Sequence, residues 1–223
     1  MKRLIPILII LLFLFSPVLM AQDTWLDQYP ARNAFGRNNL AISDIKGSPY
    51  LDDQFRVGNV QTVDNLLYKD IPLRYNCFDD VLEFKNNDVS FELKPKDIIR
   101  RAEFGGQVFS YKEYESNGGT AKSYFAILEE GKATLCARYT IKFYEAEPIK
   151  AYADPVPARF DDLDESYYIS LDNAPAKGIL NNKKLIEILA DKKKEMESFI
   201  SKQKLSVRKV EDLKKITAYY NTL

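Results

Sequence analysis

Two apolar, aromatic-rich runs meet at Glu129-Glu130-Gly131-Lys132, and the stretch from Ser123 to Tyr144 that holds them predicts a long β-hairpin. In its second arm Leu135, Ala137, Tyr139, Ile141 and Phe143 share one face. Thr134, Cys136, Arg138, Thr140 and Lys142 share the other, the period expected of an antiparallel strand with one packed and one wet face. Six shorter runs precede the hairpin: Phe55–Val63, Ile71–Cys77, Val81–Phe84, Val89–Leu93, Ile98–Phe104 and Val108–Tyr114. Between them lie Asp79-Asp80, Asn86-Asn87-Asp88, Lys94-Pro95-Lys96-Asp97 and Gly105-Gly106, residues that favour tight turns. Eight short strands with no helical period between them predict an antiparallel meander over residues 51–147, curled as a barrel or folded as a sandwich.

The pattern changes after Tyr144. Pro148, Pro155 and Pro157, followed by Asp161, Asp162, Asp164 and Glu165, predict an extended strap over 148–165 that cannot enter a sheet interior. Residues 166–223 read as one short strand, Tyr167–Leu171, and a small module of three amphipathic helices. Asn181 is the expected cap of the first helix and Asp191 of the second, which carries Met196, Phe199 and Ile200. The third repeats the spacing through Val210, Leu213, Ile216 and Tyr220. The fold class is therefore α+β: an antiparallel sheet followed by a helical module too small to hold a core of its own.

At the other end, Met1-Lys2-Arg3 precedes an apolar run from Leu4 to Met20 and a small residue at Ala21, the pattern of a secretory signal peptide over 1–21. Pro6 and Pro17 and the run's length argue against a retained transmembrane helix. An extended lead-in segment, 22–50, carries Trp25, Tyr29 and Phe35. The expected location is exported: periplasmic, associated with the outer membrane, or extracellular.

Export bears on the two cysteines, Cys77 and Cys136, because an oxidising compartment favours a disulfide. Strand periodicity opposes it. Cys77 shares a face with Ile71, Leu73 and Tyr75, whereas Cys136 shares one with Arg138, so the thiols point to opposite sides of the sheet.

The 223 residues are 46% hydrophobic, enough for a sizeable core, and have zero formal net charge. The charge is unevenly spread: from Lys177 onward there are twelve Lys and Arg against six Asp and Glu, leaving an acidic body with a basic tail. The absence of histidine removes the commonest general base and the usual His-based metal sites.

Gly47-Ser48-Pro49-Tyr50-Leu51, Leu73-Arg74-Tyr75-Asn76, Glu129 with Gly131-Lys132-Ala133, Asp191-Lys192-Lys193-Lys194 and Tyr219-Tyr220-Asn221 together resemble the pattern of a family of exported Bacteroidetes-type proteins. The resemblance covers nearly the whole chain after the leader. It implies a Gram-negative envelope context and supplies no catalytic residues.

Candidate chemistry is thin. The cluster Asp161-Asp162-Leu163-Asp164-Glu165 invites calcium but lacks the Asp/Asn alternation and glycine of a calcium loop, and reads as a solvated acidic linker. Glu83, Glu92, Glu103 and Glu113 lie on strands and would serve a carboxylate-dependent glycan hydrolase if two of them met. Gly105-Gly106 and Gly118-Gly119 open no helix and precede no Gly-Lys-Ser/Thr, so they read as turns rather than a phosphate loop. Fourteen tyrosines suit strand packing as well as binding surfaces. The acidic body and export argue against nucleic acid. No catalytic, cofactor-binding or metal-ligating residue is assigned. The expectation is a non-enzymatic envelope protein that meets a protein or polymer partner through its C-terminal helices. Alternatives are a carrier of a small apolar ligand in a barrel cavity, or a glycan hydrolase.

Overall fold

The structure is a computed structural model and describes residue 31 and residues 45–147 and 156–223. The leader 1–21, most of the lead-in segment and the first part of the proline strap lie outside the described residues. The chain forms β1 (Arg56–Thr62), β2 (Leu67–Asn76), β3 (Val81–Asn86), β4 (Val89–Glu92), β5 (Ile99–Phe104), β6 (Gln107–Ser116), β7 (Gly119–Glu129), β8 (Ala133–Thr140), β9 (Phe143–Tyr144), β10 (Arg159–Phe160), β11 (Asp164–Leu171) and β12 (Lys177–Gly178). Helices α1 (Asn182–Ile188), α2 (Lys193–Gln203) and α3 (Val210–Asn221) follow.

Ten strands make one antiparallel sheet in the order β12-β11-β8-β7-β6-β5-β1-β2-β3-β4, curled into a half-barrel, while β9 and β10 pair separately. Positive φ at Gly105 and Gly106 closes the β5–β6 hairpin, in keeping with turn glycines. Two features of the sequence pattern are displaced. The hairpin's second arm stops at Thr140, and Phe143-Tyr144 leaves the main sheet to pair with Arg159-Phe160. The sheet also does not end before the prolines: the chain returns as β11, which starts at Asp164 and pairs with all of β8. Acidic side chains at the exposed start of that strand mask its apolar alternation, which begins only at Tyr167.

Three packed clusters fill the space around the sheet. On the inner face Leu73, Tyr75, Phe109, Tyr124, Ala137 and Tyr139 belong to one core, and each fully buried aromatic contributes about 1.5–3 kcal/mol. Farther along that face Ala133, Leu135 and Ile169 meet Leu185, Leu189, Met196, Leu213 and Ile216 of the helices, with Leu128 and Tyr167 touching both cores. The helices' apolar stripes are thus spent on the chain's own sheet.

The opposite face of β6, β7, β8 and β11 is only partly open to water. After β11 the chain turns back, and Ala176 donates to Glu113 O and accepts from Glu115 N, both at 2.9 Å, while β12 pairs with β11. Strands β6-β7-β8-β11-β12 therefore close on themselves as a small ring. Tyr114, Phe125, Cys136 and Ala176 are buried inside it with Tyr168 packed beside them. Cys136, placed by periodicity on a wet face, is fully buried for this reason. Its thiol and that of Cys77 are both free, in cores on opposite sides of the sheet.

Candidate functional site

The helical module takes its shape from its caps. Asn181 accepts the Lys184 N–H at 2.8 Å and starts α1 as expected. Asp191 caps nothing. It lies in a 3-10 turn, Ala190–Lys192, and its carboxylate accepts from Tyr220 Oη at 2.9 and 3.0 Å and from Lys132 Nζ at 3.0 Å. Burial alone would raise its pKa, but these donors outweigh burial and hold it below the usual carboxylate range. Helix α2 consequently begins at Lys193 without a side-chain cap.

Asn221, at the end of α3, completes this fastening. Its amide accepts from Ala133 N at 2.8 Å and donates to Ala133 O at 2.9 Å, so the hairpin tip and the last helix share one side chain. Gly131 leaves the space: a Cβ there would stand 2.2 Å from Asn221 Nδ2. At the chain's other end Pro49 O accepts from Cys77 N, and Arg74 Nη2 donates to Tyr50 Oη at 2.8 Å. The five motifs noted in the sequence therefore meet in two sets of contacts, each tying a peripheral segment to the sheet.

Two grooves open on the outer side of the helices. One, of about 580 Å³ between α1 and α2, is lined by Lys183, Glu187, Lys193, Glu197 and Ile200 among others. The second, of about 520 Å³ between α2 and α3, includes Phe199, Lys209, Asp212 and Lys215. Lys204 and Leu205 belong to both. Lys204 closes α2 in the left-handed conformation, φ 53° and ψ 40°, with its N–H directed to Ile200 O and Ser201 O. Glycine is the residue that adopts this cap without strain. The sequence signal was a helix ending at Gln203-Lys204-Leu205 with no glycine to end it. Phe199 stacks on Tyr219 at 3.9 Å and 13°, making an aromatic wall near these lysines.

The carboxylates considered for hydrolysis fare differently. Arg74, Glu83 and Glu92 are direct neighbours across β2, β3 and β4, so the fold does bring two of the four glutamates together. Both are neutralised where they stand. Glu83 Oε2 accepts from Arg74 Nε at 3.0 Å and Nη2 at 2.7 Å, and Glu92 is paired with Lys94. They are 2% and 6% exposed and line none of the described grooves. Glu103 and Glu113 are exposed, in ion pairs with Arg101 and Lys122. Of the acidic cluster, Asp164 and Glu165 are in β11 and Asp161 accepts from Tyr144 Oη at 3.2 Å. Among the described residues no group of three or more acidic or thiol side chains is placed to hold a metal ion.

Within the half-barrel, Tyr75 and Phe109 lie 5.2 Å apart, and Phe104 and Phe109 4.9 Å, so its own aromatic rings fill the interior. Burial, reinforced by Asp80, pushes the Tyr75 hydroxyl well above its ordinary pKa, and burial pushes both thiols up to about 12. A cleft of about 290 Å³ near Leu51, Arg56 and Gln107 is the space described at the rim. Compared with known proteins, the chain matches no protein-family model, no curated protein and no solved structure.

Proposed function

We propose that this chain is a non-catalytic binding protein of the exported envelope compartment, holding an acidic protein partner in the grooves of its C-terminal helices. The observation that carries the reading is Lys204, a lysine in a backbone conformation suited to glycine, at the junction of two lysine-lined grooves. The other positive-φ non-glycine residues described are Asn or Asp, which tolerate this conformation; a left-handed lysine costs free energy, and such strain is enriched at binding sites. The excess of basic residues from Lys177 onward gives the surface the sign that attracts an acidic partner. The carrier alternative is weakened by an interior filled with aromatic rings, and the hydrolase alternative by glutamates already engaged with cations.

The test separates stability from binding. In K204G the strained cap is relieved, so thermal stability is expected to hold or rise by several tenths of a kcal/mol to about 1 kcal/mol. Crosslinking capture of an acidic envelope protein by the tagged protein is expected to fall, and to fall likewise for the wild type as salt is raised. Undiminished capture by K204G, or capture indifferent to salt, would overturn the proposal.

A further inference from the structure

Arg138 stands two residues past Cys136 on the face of β8 that turns into the small ring. Its Nε donates to Ser123 Oγ at 3.1 Å, and Ser123 is 1% exposed, so one edge of the guanidinium is held by a hydroxyl that water does not reach. Its plane lies 4.9 Å from the Tyr114 ring centroid. Arg56, Arg74 and Arg101 each have a carboxylate within 2.7 Å. Arg138 is half-buried and has none within 4.0 Å among the described residues, and its two Nη groups donate to no described residue.

The same face carries a second cation. Lys112 pairs in register with Ser123, is half-buried, and also has no carboxylate partner among the described residues; burial raises the pKa of the Cys136 thiol and the Lys112 charge opposes that rise. Ser166 is the register partner of Arg138 on β11. The acid at this end, Asp164, is directed instead to the hydroxyls of Ser166 at 3.4 Å and Thr140 at 3.5 Å. Taking cations partly out of water is unfavourable unless an anion or hydrogen-bond acceptors compensate.

We propose that Arg138, Lys112 and Ser123 form a binding site for a ligand bearing a carboxylate. The planar pair of Nη donors matches the two oxygens of a carboxylate, Ser123 fixes the guanidinium before the ligand arrives, and Lys112 adds the second charge. The site lies on the sheet and is independent of the helical grooves.

The experiment titrates the ¹⁵N-labelled full chain with acetate, inorganic phosphate or chloride at equal ionic strength and follows the Arg138 Nε–H and Ser123 amide resonances. Acetate is expected to shift both saturably, and R138Q to bind it at least roughly tenfold more weakly. Equal shifts with chloride would mean an adventitious ion only, and saturation by phosphate alone would exclude a carboxylate site; either result overturns the proposal. So does undiminished acetate binding in R138Q or, should that variant fail to fold, in R138K, which keeps the charge and loses the planar fork.

Discussion

Arg74 and Arg138 stand on the same sheet and are treated in opposite ways. Around Arg74 everything is occupied: Glu83 takes two of its N–H groups, Tyr50 Oη and Asp53 O take others, and the Tyr50 and Phe55 rings lie 3.5 and 4.3 Å from its centre. Around Arg138 one hydroxyl is fixed, one ring is near, and two nitrogens are free of described partners. The first pattern belongs to an interior that binds itself. The second belongs to a place where something can arrive. The contrast is more informative than the abundance of either charge, since both arginines look alike in a strand of alternating residues.

The sharpest test of the contrast removes an acid. In E83Q the 15%-exposed guanidinium of Arg74 loses its counter-charge inside the structure, and unfolding free energy from urea denaturation is expected to fall by about 3–5 kcal/mol. Replacing both partners, as in R74M/E83L, should recover most of that loss, because two well-packed apolar groups leave no orphaned charge. A small effect in E83Q would erase the distinction between the two arginines.

A smaller loss is expected where satisfaction depends on a neutral side chain. Asn221→Ala strips Ala133 of a donor and an acceptor at the hairpin tip, and should cost about 1–3 kcal/mol. Because the clamp holds α3 to β8, hydrogen exchange at Ala133 and through α3 should accelerate more than exchange in β1–β3. Uniform acceleration would show that the helices and sheet open together.

These partnerships mark the limit of what periodicity discloses. The cap at Asn181, the antiparallel meander and the trailing helices follow from local alternation and spacing and are present as read, whereas the face of β8 read as wet is packed at Cys136. Asp191 has the same local signature as Asn181, yet it is recruited by Tyr220 and Lys132, which lie 29 and 59 residues away. Cys136 sits on the polar register of its strand and is buried only because Ala176 returns to β6. Glu83 and Glu92 meet because of strand register, and Arg138 has no acid partner among the described residues while Asp164 accepts from Thr140 and Ser166. Apart from the Glu83–Glu92 meeting across one hairpin, each outcome depends on a partner distant in sequence, which no window of residues contains.

The thiols extend the comparison to groups that carry charge only at high pH. Both have pKa values near 12 against an ordinary 9.0, through burial. From about pH 9 upward the unfolded chain releases protons that the folded chain keeps, so the unfolded state binds fewer protons and stability declines until the folded thiols themselves ionise. Below pH 9 the thiols contribute no slope. The difference in unfolding free energy between about pH 8 and pH 10 should therefore shrink in C136A relative to wild type. Tyr50, raised to about 12 by burial and by Glu83, adds a slope of the same sign above its ordinary 10.0. An unchanged alkaline slope in C136A would mean that water reaches the ring.

The smallest expected effect is the one that most directly separates the two arginines. Among the described residues Arg138 has no acid to orphan, and the Ser123 hydroxyl that accepts from it keeps its own donation to Tyr124 O, so R138Q should alter unfolding free energy by less than about 1 kcal/mol. Glutamine keeps a stem over Tyr114 and a donor for Ser123 while removing the charge. If the loss instead matched that of E83Q, Arg138 would be holding the ring together, and its free nitrogens would reflect internal geometry rather than a place kept for a ligand. A near-neutral R138Q beside a severely weakened E83Q would leave the stability of the sheet with Arg74 and reserve Arg138 for what the sheet meets.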